Sequence, residues 1–146
     1  MLKNSYPENG VTFIELLMVV ALISILAATT SPFLARFFIQ TNLDATVDKV
    51  VSTLKKAQSY SMDGKNNVAW GACLDGTNIR LFRGTCGSPS FSEDFSYPSS
   101  VGISGFSNVT FSTDRGEPSS TLTITISAST GTKNLILNSA GELDIN

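Results

Sequence analysis

The first apolar stretch of the chain is long enough to cross a membrane as a helix. Twenty consecutive residues, 16–35, carry no charge, and a helix of that length spans about 30 Å. A buried core helix is the alternative, but in a small domain it would keep a polar face, and this segment is apolar around most of its circumference. We therefore expect a membrane-spanning helix.

From Leu43 onward the apolar residues recur at intervals of three and four. This pattern predicts that the same helix continues, with one apolar stripe facing a core. One helix is expected from about residue 12 to 62, ending at Asp63-Gly64. Pro32 has no amide hydrogen, so we expect a helix kink there, near residues 29–32. The stripe consists of Leu43, Val47, Val50, Val51, Leu54, Ala57 and Ser61.

Beyond residue 62 the hydrophobic period becomes two, which indicates β-strands. Asp75-Gly76-Thr77 is a hairpin signal, and the apolar positions of the strand at 122–126 alternate, so one face should lie against the helical stripe. The serine-rich segment 84–107, with two prolines, is expected to be a loop. The predicted class is α+β, a long amino-terminal helix packed on an antiparallel β-sheet head. Strands are predicted at 67–74, 78–82, 109–112, 122–126, 134–137 and 142–145.

Composition narrows the chemistry. The chain has 146 residues, of which 15% are charged, and it has no histidine. The missing histidine excludes Ser-His-Asp and Cys-His nucleophiles and histidine-ligated metal sites. No Ser/Lys or paired-carboxylate motif replaces them, so we expect no enzyme, cofactor or metal site. The net charge of −2 argues against a dedicated nucleic-acid binder.

The residues at the start of the apolar run form a motif. The segment Gly10-Val11-Thr12-Phe13-Ile14-Glu15-Leu16-Leu17 places a glutamate five positions after a glycine, and Pro32 follows that glycine by twenty-two positions. The motif resembles the class III signal of type IV prepilins and pseudopilins, and a long helix with a β-rich head resembles the pilin fold. Within that family, residues 111–143, ending in Gly141-Glu142-Leu143, look like H-type minor pseudopilins and related minor pilins.

The resemblance implies roles for individual residues. A prepilin peptidase would cut between Gly10 and Val11 and N-methylate Val11. Glu15, an acidic residue just inside the apolar run, would neutralise the amino terminus of a neighbouring subunit and so set the register of the filament. The implied organisation is a leader at 1–10, a transmembrane and assembly helix at 11–35, an amphipathic helix at 36–62 and a head at 63–146.

Two features depart from the family pattern. Val11 stands where the first mature residue is usually Phe, and the leader has a single Lys3 offset by Glu8. Orientation therefore follows from the resemblance more than from charge. The resemblance implies a single-pass protein of the bacterial inner membrane with its head outside the cytoplasm, later a filament subunit. Implied partners are other pilin or pseudopilin subunits, prepilin peptidase, the inner-membrane assembly platform and, before assembly, the lipid bilayer.

The head offers three further candidate sites. Cys73 and Cys86 would be exported into an oxidising space, where a disulfide closing their loop could stabilise the head by up to about 3 kcal/mol; two unpaired thiols are the alternative. Six carboxylates invite a calcium site, but without alternating acidic spacing solvated loop charge is favoured. Four basic residues invite a DNA patch, although the head has five basic and eight acidic residues. The carboxylates are Asp63, Asp75, Glu93, Asp94, Asp114 and Glu117; the basic residues are Arg80, Arg83, Arg115 and Lys133.

The sequence thus favours a structural role. The expected function is a subunit, of the minor class, of a type IV pilus or a type II secretion pseudopilus. The alternative is a tip-located minor pilin whose head binds DNA or a surface, with nucleic acid an open but disfavoured partner. A membrane-anchored enzyme is the third hypothesis. Trp70 and Tyr97 are expected in the core or in subunit contacts rather than in a ligand site.

Overall fold

A computed structural model describes the backbone of residues 10–146 and their side chains except those of residues 29–32. The chain divides into two compact units, Met1–Arg36 and Phe37–Asn146. One helix, α1 (Phe13–Met62), contributes residues to both units. The predicted helix is confirmed, because the observed bounds differ from residues 12–62 by one position at the amino end only.

The first unit presents an apolar helical surface. All its described side chains are exposed, among them Phe13, Leu22 and Phe33. By length and composition α1 is long and apolar enough to cross a membrane. The helix runs through residues 29–32, but the side chain of Pro32 lies outside the described residues, so the kink there stays a prediction.

The second unit contains the carboxyl-terminal part of α1 and two four-stranded antiparallel sheets. After α1, Gly64 adopts the left-handed conformation (φ 60°) and precedes a short 3-10 turn, Lys65–Asn67. The strands are β1 (Trp70–Asp75), β2 (Asn78–Thr85), β3 (Ser88–Ser96), β4 (Val101–Ser104), β5 (Val109–Thr110), β6 (Leu122–Ala128), β7 (Gly131–Leu137) and β8 (Leu143–Ile145). Sheet A has the strand order β3-β2-β1-β5, and sheet B has the order β4-β6-β7-β8.

One hydrophobic core joins α1 to both sheets. The predicted stripe is buried at six of its seven positions, and Val51, the seventh, packs at the core margin. In β6 the residues Leu122, Ile124 and Ile126 are buried while the threonines between them face outward or lie half-buried. Trp70 lies in the core and Tyr97 packs against it. The α+β arrangement, a long helix packed on antiparallel sheets, is therefore confirmed.

The prediction of a loop at residues 84–107 is wrong. This segment contains the end of β2, the whole of β3 and the whole of β4. Strand β3 pairs with β2 over most of its length, yet it is an edge strand whose residues are mostly exposed. A strand held by pairing on one side needs little hydrophobic alternation, which explains why a serine-rich sequence can form it.

The hairpin at Asp75-Gly76-Thr77 is confirmed, since Asp75 pairs with Asn78 across a two-residue connection. The predicted start of β1 at residue 67 is wrong, because the 3-10 turn occupies residues 65–67 and β1 begins at Trp70. At the end of α1, the Ser61 hydroxyl accepts a hydrogen bond from the Trp70 amide (2.8 Å). This bond ties the helix end to the first strand.

The outer face of sheet A carries a second, smaller packed layer. Phe82 is fully buried there, and its register partner in β1 is Gly71. A Cβ atom on Gly71 would lie 2.5 Å from both Phe82 Cζ and the Val109 carbonyl oxygen. Glycine is required at this position because the Phe82 ring occupies the space of a side chain.

A single side chain of α1 holds two loops against the helix. The Gln58 amide donates hydrogen bonds to the carbonyl oxygens of Gly116 (3.0 Å) and Gly141 (3.2 Å). Both glycines have positive φ, and a Cβ on either would collide with Gln58. The Gly141-Glu142-Leu143 segment is therefore fixed to the helix at the level of residue 58.

Candidate assembly and processing site

The amino end of α1 brings together the residues named by the motif. Thr12 precedes the helix, and its hydroxyl and carbonyl oxygens accept hydrogen bonds from the Glu15 amide (3.3 and 3.1 Å). Thr12 is thus the N-cap and Glu15 lies in the first turn. Gly10 and Val11 precede the cap, outside the helix and exposed. The bond between them is therefore accessible, four positions before Glu15 in the sequence.

Glu15 is the acidic residue in the first turn of α1. The first turn of a helix presents unpaired backbone amides and the positive end of the helix dipole, both of which stabilise an anion. In this structure the carboxylate is exposed beside Phe13, Ile14 and Leu16. An acidic group in such surroundings can accept a cation brought by another chain.

Thr12 lies outside the glycine and glutamate positions that the motif marks, yet its hydroxyl oxygen accepts a hydrogen bond from the Glu15 amide at the start of α1. Its signal is the pattern of threonine followed three residues later by glutamate, directly before an apolar run. The cap defines where α1 begins, so it also determines how far the Gly10-Val11 bond stands from the helix.

In the head, Cys73 and Cys86 form a disulfide. Cys73 lies on β1 and is buried, whereas Cys86 lies in the turn between β2 and β3. The bridge joins the outer layer of sheet A to that turn, next to Arg80, which donates a hydrogen bond to the Cys86 carbonyl oxygen (3.4 Å). The predicted disulfide is confirmed.

Removing the disulfide is expected to destabilise the head. Because the bridged cysteines are 13 positions apart in the sequence, loss of the bridge should lower the free energy of unfolding by about 3 kcal/mol. The variant Cys73→Ala/Cys86→Ser, purified in detergent, should unfold at lower urea concentration when followed by fluorescence of Trp70, the only tryptophan. Reductant should lower the urea midpoint of the unmodified chain by the same amount and should leave the midpoint of the variant unchanged. An equal midpoint for the variant and the unmodified chain would contradict the stabilising role of the disulfide.

The carboxylates considered for calcium are engaged in different places. Asp94 and Asp75 both bind Arg80, at 2.7 and 2.6 Å, and Glu93 binds Lys56 at 2.5 Å. Glu117 lies 3.7 Å from Arg115, and Asp63 accepts a hydrogen bond from Ser59. Asp114 lies exposed in the loop after β5. Within residues 10–146 as described, no three acidic or cysteine side chains converge as metal ligands.

The four basic residues considered for DNA are not brought into one patch. Arg80 and Arg83 lie on opposite faces of β2, since their register partners are the outer-face Cys73 and the inner-face Trp70. Arg115 lies in the loop after β5, and Lys133 lies on β7, where it binds Asp44 (2.7 Å). Three of the four are already paired with carboxylates, so the described head surface offers little to attract phosphate.

Ion pairs of the head shift the pKa values of their members. The Arg80 guanidinium, through two hydrogen bonds (2.7 and 2.8 Å), lowers the pKa of Asp94. The Lys133 ammonium lowers the pKa of Asp44, and Glu93 raises the pKa of Lys56. When folding lowers the pKa of a carboxyl, the charged carboxylate stabilises the head at pH values above the ordinary carboxyl pKa of 3.8. This stabilisation is lost as the pH falls through the lower pKa of the folded state.

Acid should therefore weaken the head in part through Asp94. The variant Asp94→Asn should melt lower than the unmodified chain at pH 7, and the difference should shrink at pH 3, because the stabilisation begins to be lost as the pH falls below 3.8 towards the lower pKa of the folded state. The effect should be modest, because the pair is partly exposed. Asp114→Asn, an exposed loop carboxylate, is the control and should change neither melting temperature. Equal losses at pH 7 and pH 3 for Asp94→Asn would refute the assignment.

One known family matches the amino-terminal segment of the chain. Residues 7–31 match the family described as the prokaryotic N-terminal methylation motif. No curated protein and no solved structure matches the chain. The matched family is structural rather than enzymatic, and its signal implies processing by prepilin peptidase and assembly with other pilin subunits. The match at residues 7–31, followed by one long helix packed on antiparallel sheets, supports a similarity to type IV pilin-like proteins.

Proposed function

We propose that this protein is a structural subunit, of the minor class, of a type IV pilus or a type II secretion pseudopilus. The observation that carries the proposal is the methylation motif at residues 7–31, which overlaps an exposed apolar helix long enough to span a bilayer. An apolar surface of this length is unfavourable in water, so we expect another apolar environment to cover it. A bilayer and later the helical core of a filament would both cover it.

In this proposal the chain passes through two states. As a precursor it crosses the inner membrane once, with residues 1–10 as a cytoplasmic leader and the head outside the cytoplasm. Prepilin peptidase then cuts between Gly10 and Val11 and methylates the amino group of Val11. The inner-membrane assembly platform moves the cleaved chain from the bilayer into the filament, where residues 11–35 pack against neighbouring helices.

Glu15 would then bind the charged amino terminus of a neighbouring Val11. Either charge alone would be costly in an apolar helix bundle, whereas the pair is tolerated and selects one register between subunits. Glu15 lies in the first turn of α1, three residues after the Thr12 cap, and this supports the role because the first turn is the part of the helix that follows the new amino terminus.

Two features support the minor class and an H-type relationship. Val11 replaces the phenylalanine that usually begins a mature subunit, and the stretch of residues 111–143 closes with Gly141-Glu142-Leu143. The hydrogen bond from Gln58 to Gly141 gives this segment a structural reason to keep its glycine. We propose no catalytic role, and the scattered, paired basic residues do not favour a DNA-binding tip.

The proposal is tested by shearing filaments from cells that express the tagged full-length chain with a prepilin peptidase and an assembly machine. We expect the chain in the sheared filament fraction together with other subunits, and its loss from that fraction when the peptidase is inactive. Recovery of the cleaved chain in the membrane fraction alone would overturn the proposal.

A further inference from the structure

Two adjoining phenylalanines are exposed at the start of the second unit. Phe37 and Phe38 are its first residues, and their side chains are 57% and 62% exposed. The two rings contact each other edge to face, with their centroids 6.1 Å apart. Leu43 is the first residue of α1 in the core of the head, so the pair precedes the part of the helix that the sheets cover. Two adjoining exposed rings form an apolar patch that is unfavourable in water.

Two ionisable residues bracket the uncharged segment of α1. Glu15 directly precedes residues 16–35, and Arg36 directly follows them. The helical rise from Glu15 to Arg36 is about 32 Å, and the hydrocarbon core of a bilayer is about 30 Å thick. Because charged side chains are costly inside that core, a helix with this spacing crosses it with one charge at each boundary.

The phenylalanine pair follows Arg36 directly, and this sequence position determines its depth in a membrane. The helical rise puts Phe37 and Phe38 about 2–3 Å beyond Arg36. A bilayer with its headgroups is about 40–45 Å thick, so each headgroup layer is about 5–7 Å deep and includes the level of both rings. Apolar and aromatic side chains bind membranes at this depth by burying their surface between the headgroups and the acyl chains.

The part of the second unit that follows the pair presents no net charge. Residues 37–43 are uncharged, and Asp44 is the first acidic residue of α1 after Phe38. The Asp44 carboxylate binds the Lys133 ammonium of β7 (2.7 Å) and accepts a hydrogen bond from the Gln40 amide (3.4 Å). This neutral setting favours an apolar partner for the two rings over a charged one.

We propose that Phe37 and Phe38 form a membrane-interface anchor, in which both rings bind phospholipid at the boundary between headgroups and acyl chains. The patch is continuous in sequence with the segment that crosses the bilayer, so the same lipid covers both. The anchor holds the second unit at the leaflet outside the cytoplasm before assembly. This inference rests on the proposed function, which supplies the membrane-spanning state and its orientation, and it adds a lipid-binding surface on the unit that contains the head.

The test uses the full-length chain in vesicles of phosphatidylcholine and phosphatidylglycerol, without peptidase or assembly machine. Benzoylphenylalanine, a photocrosslinking amino acid, replaces Phe38, and lipid adducts are mapped by mass spectrometry. We expect adducts to the glycerol region and the first acyl carbons, at a yield about tenfold higher than from the same replacement of Phe91. Phe91 is the matched control because it is an exposed phenylalanine of the same unit, on edge strand β3. Adducts of residue 38 only to the acyl-chain ends, or equal yields from both positions, would overturn the inference.

Substitutions at Phe37 separate an anchor from chance contact with lipid. Phe37→Asp places a carboxylate at the headgroup boundary and should lower the adduct yield from residue 38 about fivefold. Phe37→Trp keeps an aromatic ring that suits the interface and should preserve the yield. Lys55→Asp, at an exposed position of α1 far from the pair, should leave the yield unchanged. An undiminished yield in Phe37→Asp would refute the anchor.

The same crosslinker at Leu22, an exposed residue of the uncharged segment, distinguishes failure of this inference from failure of the proposed function. A membrane-spanning helix places residue 22 inside the hydrocarbon core. If residue 22 forms adducts with acyl chains and residue 38 forms no lipid adducts, the chain spans the bilayer but the anchor is wrong. If neither residue forms lipid adducts, both the anchor and the membrane-spanning state of the proposed function are wrong.

Discussion

Replacing Glu15 with alanine should leave the chain in the membrane and remove it almost completely from filaments. The apolar helix that anchors the precursor is unchanged, so insertion should be normal. Assembly would leave the amino terminus of a neighbour unpaired in the helix bundle, and an uncompensated buried charge costs about 3 kcal/mol or more. The chain recovered in sheared filaments, measured by quantitative immunoblot, should fall about a hundredfold.

Glu15→Gln is the informative companion variant. Glutamine keeps the length and hydrogen-bonding capacity of the side chain in the first turn, where the Glu15 amide binds the Thr12 cap, and it removes only the charge. Its incorporation should be as low as that of Glu15→Ala. Normal filament content of either variant, with normal cleavage, would refute the charge-pairing role.

Replacing Gly71 with valine should unfold the head under conditions in which the unmodified chain is stable. Any Cβ at this position meets the Phe82 ring and the Val109 carbonyl oxygen at 2.5 Å, and the carbonyl belongs to the backbone of β5. Relief would require moving Phe82 out of its buried site or separating β5 from β1. We expect the free energy of unfolding to fall by about 3 kcal/mol, seen as a lower urea midpoint by Trp70 fluorescence.

Gly87→Ala is the matched control for this prediction. Gly87 lies in the turn between β2 and β3, and an added Cβ there meets nothing within 4 Å. The free energy of unfolding of this variant should stay within about 0.5 kcal/mol of that of the unmodified chain. Equal stability of Gly71→Val and Gly87→Ala would show that the outer layer of sheet A is not packed as described.

The elements that were predictable are those with strong local signals. The stripe from Leu43 to Ser61 determined the extent of α1, because a helix packed on one side must repeat its apolar residues at this spacing. The hairpin at residues 75–77 and the alternation of β6 are equally local. The motif around Gly10 and Glu15 could be recognised from the sequence because it is a short linear signal that does not depend on the fold of the head.

The features that were missed depend on pairing between distant segments. Strand β3 is formed by its register with β2, and only that register places Asp94 beside Arg80 and leaves Phe91 at an exposed edge. Arg80, Arg115 and Lys133 do not form a common basic patch, because the tertiary fold places them on different elements. No local pattern in residues 84–107 specifies these neighbours.

The proposed role as an assembling subunit requires processing at the Gly10-Val11 bond, and the most direct test is the intact mass of the chain recovered from filaments. We predict a single species that lacks residues 1–10 and begins with N-methylated Val11. A chain that still begins at Met1, or that has been cut at another bond, would contradict the account.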